Sequence, residues 1–122
     1  MFVGVLSLTM NSVDAAWGIS APVNNSGDRQ ENRGDLQTWG EAPVGATIRV
    51  EVWRDGTKID QQIIGPLPAQ PSSGGGGGWW WANFAPPSGQ WNGTYFDRAG
   101  EIKLYDQGSG TLMATSSFIF SP

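Results

Sequence analysis

The chain contains no cysteine and no histidine, and only seven lysines and arginines among its 122 residues. Without cysteine there are no disulfides and no thiolate metal sites. Without histidine the chain lacks the commonest acid–base group near neutral pH and the commonest metal ligand, which closes the Ser-His-Asp and Cys-His routes to nucleophilic catalysis. The net charge is −4 and the few cations are spread singly. A polyanion is held by clustered cations, so nucleic acid is not expected as a partner. Charged residues make up 15% of the chain, against about 25% in an average domain. No apolar run approaches the length of a membrane span, so no membrane partner is expected either.

What is present is glycine, at 18 residues, and tryptophan, at 7. A weakly charged chain rich in glycine, β-branched and aromatic residues fits an all-β fold with many turns. Its length suits one domain with one core. The first ten residues, Met1 to Met10, are mostly apolar and read as a truncated signal sequence ending near Ala15 and Ala16, or as structure. The first positive charge is Arg29, which does not suit a secretory leader with its basic start.

Strand signals recur along the chain. In Leu6-Ser7-Leu8-Thr9-Met10 apolar residues alternate with hydroxyls, the pattern of a strand with one buried face. Trp17 to Ser20 reads as a short strand stopped by Pro22, and Asn24 to Gly34 as a polar loop. Thr47 to Arg54 (TIRVEVWR) places Ile48, Val50 and Val52 on one face and Arg49, Glu51 and Trp53 on the other. Asp55-Gly56 follows, a dipeptide suited to a two-residue type I′ hairpin whose central positions both need positive φ. That turn predicts Ile59 opposite Val52, Ile63 opposite Ile48 and Trp53 opposite Lys58. Gly65 to Gly78 is the one low-complexity stretch and reads as a long loop inside a single domain. Trp79 to Phe84 resumes strand character, and Ser88 to Asp97 is turn-rich. The last third is a second hairpin. Ile102 and Leu104 face inward against Glu101, Lys103 and Tyr105, and Leu112, Ala114, Ser116, Phe118 and Phe120 share one face of the final strand. Seven or eight strands and no helix make a two-sheet sandwich.

The stretches WGISAP (Trp17 to Pro22) and LQTWGEAPVGATIRVEV (Leu36 to Val52) resemble bacterial and phage immunoglobulin-like modules that read I-x-x-P … G-x-A-x-x-G-A-x-I-x-V. The Asp-Gly turn and the closing hairpin GEIKLYDQGSGTLMATSSFIF fall in the expected order. The resemblance spans roughly residues 17–122 and implies an immunoglobulin-like two-sheet antiparallel β-sandwich, with residues 1–16 as an N-terminal extension or first strand. Such modules serve as spacers, adhesins, polysaccharide-binding units or virion decorations. Two features depart from the pattern: the apolar N-terminal segment and the run of glycines then tryptophans from Gly74 to Trp81.

Consecutive tryptophans on a strand must split between its two faces, so Trp79 and Trp81 share one side and Trp80 takes the other. Indoles turned outward are candidate anchors for a partner, although the preceding long loop covering them is the plainer alternative. Trp53 and Tyr105, predicted to point outward, extend such a surface. Leu6 and Leu8 belong to a segment that is either the first strand or an arm adding to a neighbour's sheet edge. The glycine run, if ordered, has to pack against its own sandwich or a neighbour, because ordering glycine is entropically expensive. Asp55, Asp97 and Asp106 fall in turns, where aspartate bonds local backbone. Asn24-Asn25-Ser26 and Asn92-Gly93-Thr94 are short glycosylation sequons.

Three functions compete. A non-catalytic assembly protein, such as a capsid-decorating cement or a surface-lattice subunit, accounts for the missing catalytic groups, the apolar extension, the glycine run and the surplus tryptophan together. A carbohydrate-binding module accounts for the tryptophans alone. A small hydrolase needs two carboxylates close together in a cleft. The first is the expectation. It implies protein subunits as partners, no cofactor and no metal, and a virion or extracellular, cell-surface location.

Overall fold

The structure, a computed structural model, describes residues 17–22, 28–69 and 78–122. They form eight strands: β1 (Gly18–Ala21), β2 (Arg29–Gln30), β3 (Leu36–Ala42), β4 (Ile48–Arg54), β5 (Thr57–Ile64), β6 (Gly78–Phe84), β7 (Arg98–Asp106) and β8 (Thr111–Phe120). A single 3-10 turn, Pro87–Gly89, interrupts the β6–β7 connection. The protein is all-β with two sheets, ordered β1-β3-β6 and β2-β8-β7-β4-β5. The smaller sheet curls over the core. Leu6 and Leu8, the whole Met1 to Met10 segment and all of the glycine run but Gly78 lie outside the described residues.

Alternation builds both sheets. On β3, Leu36, Thr38, Gly40 and Ala42 are buried while Gln37, Trp39 and Glu41 are exposed. On β4, Ile48, Val50 and Val52 are fully buried, as their spacing predicts, and Ile102 and Leu104 meet them from β7. Asp55 (φ 49°) and Gly56 (φ 80°) both adopt positive φ, the geometry that returns β5 against β4. Gly40 is required by close packing: a Cβ there would lie 2.0 Å from the Gly18 carbonyl oxygen of β1.

Bulges and one parallel pairing depart from simple alternation, and β1 carries one such shift between Ile19 and Ala21 against β3. On β5, Val52 pairs with Asp60 and Trp53 with Lys58, so Ile59 is an extra residue. The shift places Ile64 opposite Ile48 and turns Ile63 outward beside Arg49, where it is exposed. The predicted pairings of Ile59 with Val52 and of Ile63 with Ile48 are corrected accordingly, because one inserted residue reverses the faces beyond it. On β8, Leu104 pairs with Ala114 and Tyr105 with Leu112, leaving Met113 extra. Leu112 is therefore exposed rather than aligned with buried Ser116, Phe118 and Phe120. The sandwich is also not wholly antiparallel, since Arg29 and Gln30 run parallel to Ile119 and Phe120.

One end of the core is closed by an aromatic and amide plug. Trp91 is fully buried, stacks on Phe120 with ring centroids 5.4 Å apart, and donates its indole N–H to the Gly34 carbonyl at 2.7 Å. Phe118 meets Phe120 edge-on at 4.8 Å. Beside them, buried Asn92 donates Nδ2 to the Phe96 and Phe120 carbonyls and accepts at Oδ1 from Thr94 N and Oγ1. Asn32 accepts from the backbone N–H groups of Trp91 and Asn92, while this amide ties together the loop from Trp91 to Asp97 and joins it to β8. It also removes Asn92 as a sugar-acceptor site in the folded chain, because its amide nitrogen is buried and engaged.

Candidate functional site: an indole face on the smaller sheet

Strand β6 buries Gly78, Trp80, Ala82 and Phe84 and exposes Trp79 and Trp81. Its register against β3 places Trp81 directly opposite Trp39, and Trp79 opposite Glu41. Three large indoles therefore stand on one outward sheet face, 40% (Trp39), 37% (Trp79) and 56% (Trp81) exposed. Direct and diagonal neighbours on paired strands are within reach of aromatic side chains, so the register groups the three on one patch of the sheet. Gln37, Glu41 and Asn83 border it from the same face. Asn83 donates to the Asp35 carboxylate at 2.9 Å, fixing one polar corner. Among the described residues Glu41 makes no ion pair, leaving its carboxylate open beside Trp79.

Trp80, included among the candidate binding residues, is a core residue: only 3% of it is exposed, and it belongs to the same buried cluster as Leu36 and Phe84. Among the described residues its Nε1 is the one buried side-chain polar atom without a hydrogen-bond partner. The pleat decides this placement, since Trp79 and Trp81 can face out only if Trp80 faces in.

Trp53 and Tyr105 do point away from the core, but on the opposite sheet, so they do not extend the indole face. There they belong to a charged lattice. Glu51, nearly buried, accepts from Arg49 Nε at 2.7 Å and Trp53 Nε1 at 2.8 Å, with Lys58 Nζ 3.6 Å away. Lys103 caps the Trp53 ring at 3.8 Å, and Arg49 lies over Tyr105 at 4.2 Å while donating to Gln107. Burial raises the Glu51 pKa, but hydrogen bonds from Arg49 and Trp53 and the charges of Lys58 and Arg49 together outweigh it and hold the carboxyl below the ordinary glutamate range. One cation thus lies over each of these two rings, and both side chains remain partly exposed.

Trp39 is the residue of this patch that sequence reasoning missed, although its signal is present. Gln37, Trp39 and Glu41 alternate with Leu36, Thr38 and Ala42, which assigns Trp39 to the outer face. The three turn aspartates are committed elsewhere. Asp55 binds Arg98 at 2.5 Å, Asp97 binds Arg29 at 2.9 Å, and Asp106 caps its own turn through Gly108 N and Ser109 Oγ. Among the described residues no group of three acidic side chains is placed to hold a metal ion, and no helix is long and apolar enough to cross a membrane. Comparison of the chain with models of known protein families, with characterised proteins and with solved structures returns no match.

Proposed function

We propose that this protein is a non-catalytic binding domain of immunoglobulin-like build that works with its Trp39–Trp79–Trp81 face covered by another molecule. One observation carries the reading: three indoles exposed together on one sheet face. Single apolar residues on a surface are ordinary, whereas grouped tryptophans offer a large contact area at little entropic cost. Strand order supports the immunoglobulin-like part. In such sandwiches one sheet holds strands A, B and E and the other G, F and C with C′ beyond C; β1-β3-β6 and β8-β7-β4-β5 stand in those places. The departure is that the C-strand tryptophan, Trp53, points outward, and Trp91 from a loop fills the core instead.

The first reading of the covering molecule is a protein subunit, in a virion decoration or a cell-surface lattice. Such a contact buries roughly 1,000 Å² or more and uses tryptophan as its anchor. A second reading, a carbohydrate-binding module, is favoured by the polar border of Gln37, Glu41 and Asn83: indole faces stack on sugar rings while amides and carboxylates take their hydroxyls. Light scattering after size exclusion, together with electrophoresis through polysaccharide-containing gels, separates the two. Trp81→Ala removes an exposed side chain and leaves stability within about 0.5 kcal/mol. Loss of self- or partner association in this variant supports the subunit; loss of gel retardation supports the module. Should neither behaviour respond to the substitution, the indole face is not the binding surface.

A further inference from the structure

A second site lies away from the indole face, where the β4–β5 turn meets the β6–β7 connection. There a cavity of about 550 Å³ is lined by Arg54, Ile59, Ser88, Gln90, Thr94 and Arg98, among others. That volume is within the usual range for small-molecule sites, about 300–1,000 Å³. Two of the chain's seven cations line this one cavity, in a molecule of net charge −4.

The local charges do not cancel. Asp55 Oδ2 receives Arg98 Nε at 2.5 Å while Asp55 Oδ1 takes the Ala99 N–H. Arg54 donates Nη1 to the Trp91 carbonyl, and among the described residues it has no carboxylate partner within salt-bridge distance. Asp97, next in the chain to Arg98, is tied to Arg29. Two guanidiniums against one carboxylate leave one positive charge. Each guanidinium is also oriented by its single bond, so its remaining N–H groups are available as a planar fork suited to carboxylate.

The rest of the wall is neutral and mixed: two hydroxyls, one amide, and the apolar Ile59 and Pro87. The loop that supplies Gly93 and Thr94 continues into Tyr95, fully exposed, and Phe96, largely exposed. Asn92 clamps the backbone of this loop on both sides of Tyr95, through Thr94 and Phe96, so the chain beside the cavity is held in place while the Tyr95 ring stands in solvent. A backbone already held in place lowers the entropic cost of binding beside it.

We infer that this cavity binds an acidic sugar: its carboxylate lies between Arg54 and Arg98, its hydroxyls meet Ser88, Gln90 and Thr94, and its ring or the next one in a chain stacks at Tyr95. The site goes beyond the proposed indole contact and does not depend on it, because Trp81→Ala leaves it untouched.

Titration of the full chain with sodium glucuronate, followed by amide and indole NMR, tests the assignment. The expected result is saturable shifts within residues 88–98. Glucose, the same ring without the carboxylate, and inorganic sulfate, the charge without the ring, are each expected to bind at least about tenfold more weakly. Arg98→Gln lowers glucuronate affinity by about tenfold or more, with the Trp91 indole signal unmoved as evidence of an intact loop. A control needing no variant raises NaCl from about 0.05 M to about 0.5 M, which weakens glucuronate binding through screening. Absence of saturable shifts, glucose matching glucuronate, or affinity indifferent to salt overturns the proposal. Sulfate binding as tightly as glucuronate also overturns it, in favour of a bare anion site. If Arg98→Gln displaces the Trp91 signal, the salt series on the unaltered chain decides.

Discussion

Replacing Asn92 with alanine tests the claim that one buried amide holds the Trp91–Asp97 loop. Four side-chain hydrogen bonds disappear: Nδ2 to the Phe96 carbonyl at 2.8 Å and the Phe120 carbonyl at 3.0 Å, and Oδ1 from Thr94 N at 2.9 Å and Thr94 Oγ1 at 2.6 Å. The partners on Thr94 and Phe96 lie near solvent and can turn to water, so each of those losses costs about 0.5 kcal/mol. The Phe120 bond is buried, and its loss costs about 1–2 kcal/mol. The total is about 3 kcal/mol, which for a domain of this size lowers Tm by about 10 °C or more. Differential scanning calorimetry measures it directly. Asn92→Asp is the sharper companion: it keeps the shape and the Oδ1 acceptor but sets a carboxylate oxygen against two carbonyls. It is expected to be at least as damaging at neutral pH. A Tm within about 2 °C of the unaltered protein for either variant would refute the clamp.

Two further expectations rest on the same geometry. At Gly100 a Cβ would lie 2.6 Å from the Phe118 ring, so Gly100→Ala displaces the Phe118–Phe120–Trp91 stack. The change costs about 1–3 kcal/mol in a urea titration, and a neutral result would contradict that packing. Glu51 is held below its unfolded pKa, which is about 4.3. Its contribution to stability is therefore fully present above that pH and is lost as pH falls through the lower folded value. Glu51→Gln should lower stability at pH 7 and flatten the acid limb of the stability curve. Part of the limb remains, because Arg98 above all, partly opposed by burial, also depresses Asp55. Parallel pH profiles for the two proteins would count against the Arg49–Glu51–Lys58 arrangement.

Period-two patterning makes much of this fold legible in the sequence. Ile48, Val50 and Val52, the Asp55-Gly56 turn, and the inward Ile102 and Leu104 all stand where alternation puts them. Bulges defeat the same rule. The extra residues Ile59 and Met113 sit inside patterns that look regular, and each reverses the side chains beyond it. Strand β2 is two residues long, too short to carry any period, and its parallel pairing depends on the distant end of β8. The split of Trp79, Trp80 and Trp81 between faces follows from adjacency alone. Their partner Trp39 is within reach of the same argument. What local sequence does not reveal is the sheet to which each aromatic belongs: Trp53 and Tyr105 look outward like Trp79 and Trp81, yet strand order places them across the core. The arginine cavity is equally hidden, because Arg54, Thr94 and Arg98 converge only through tertiary folding.

Hydroxyl-radical footprinting interrogates the indole face whatever molecule covers it. Oxidation of Trp39, Trp79 and Trp81 is compared between the purified chain and the chain in the particle, lattice or polysaccharide matrix from which it is recovered. Strong protection of all three in the bound state, with buried Trp80 and Trp91 unreactive in both, is the result the structure predicts. Equal oxidation of the three in both states would mean that nothing covers them and that the binding surface lies elsewhere.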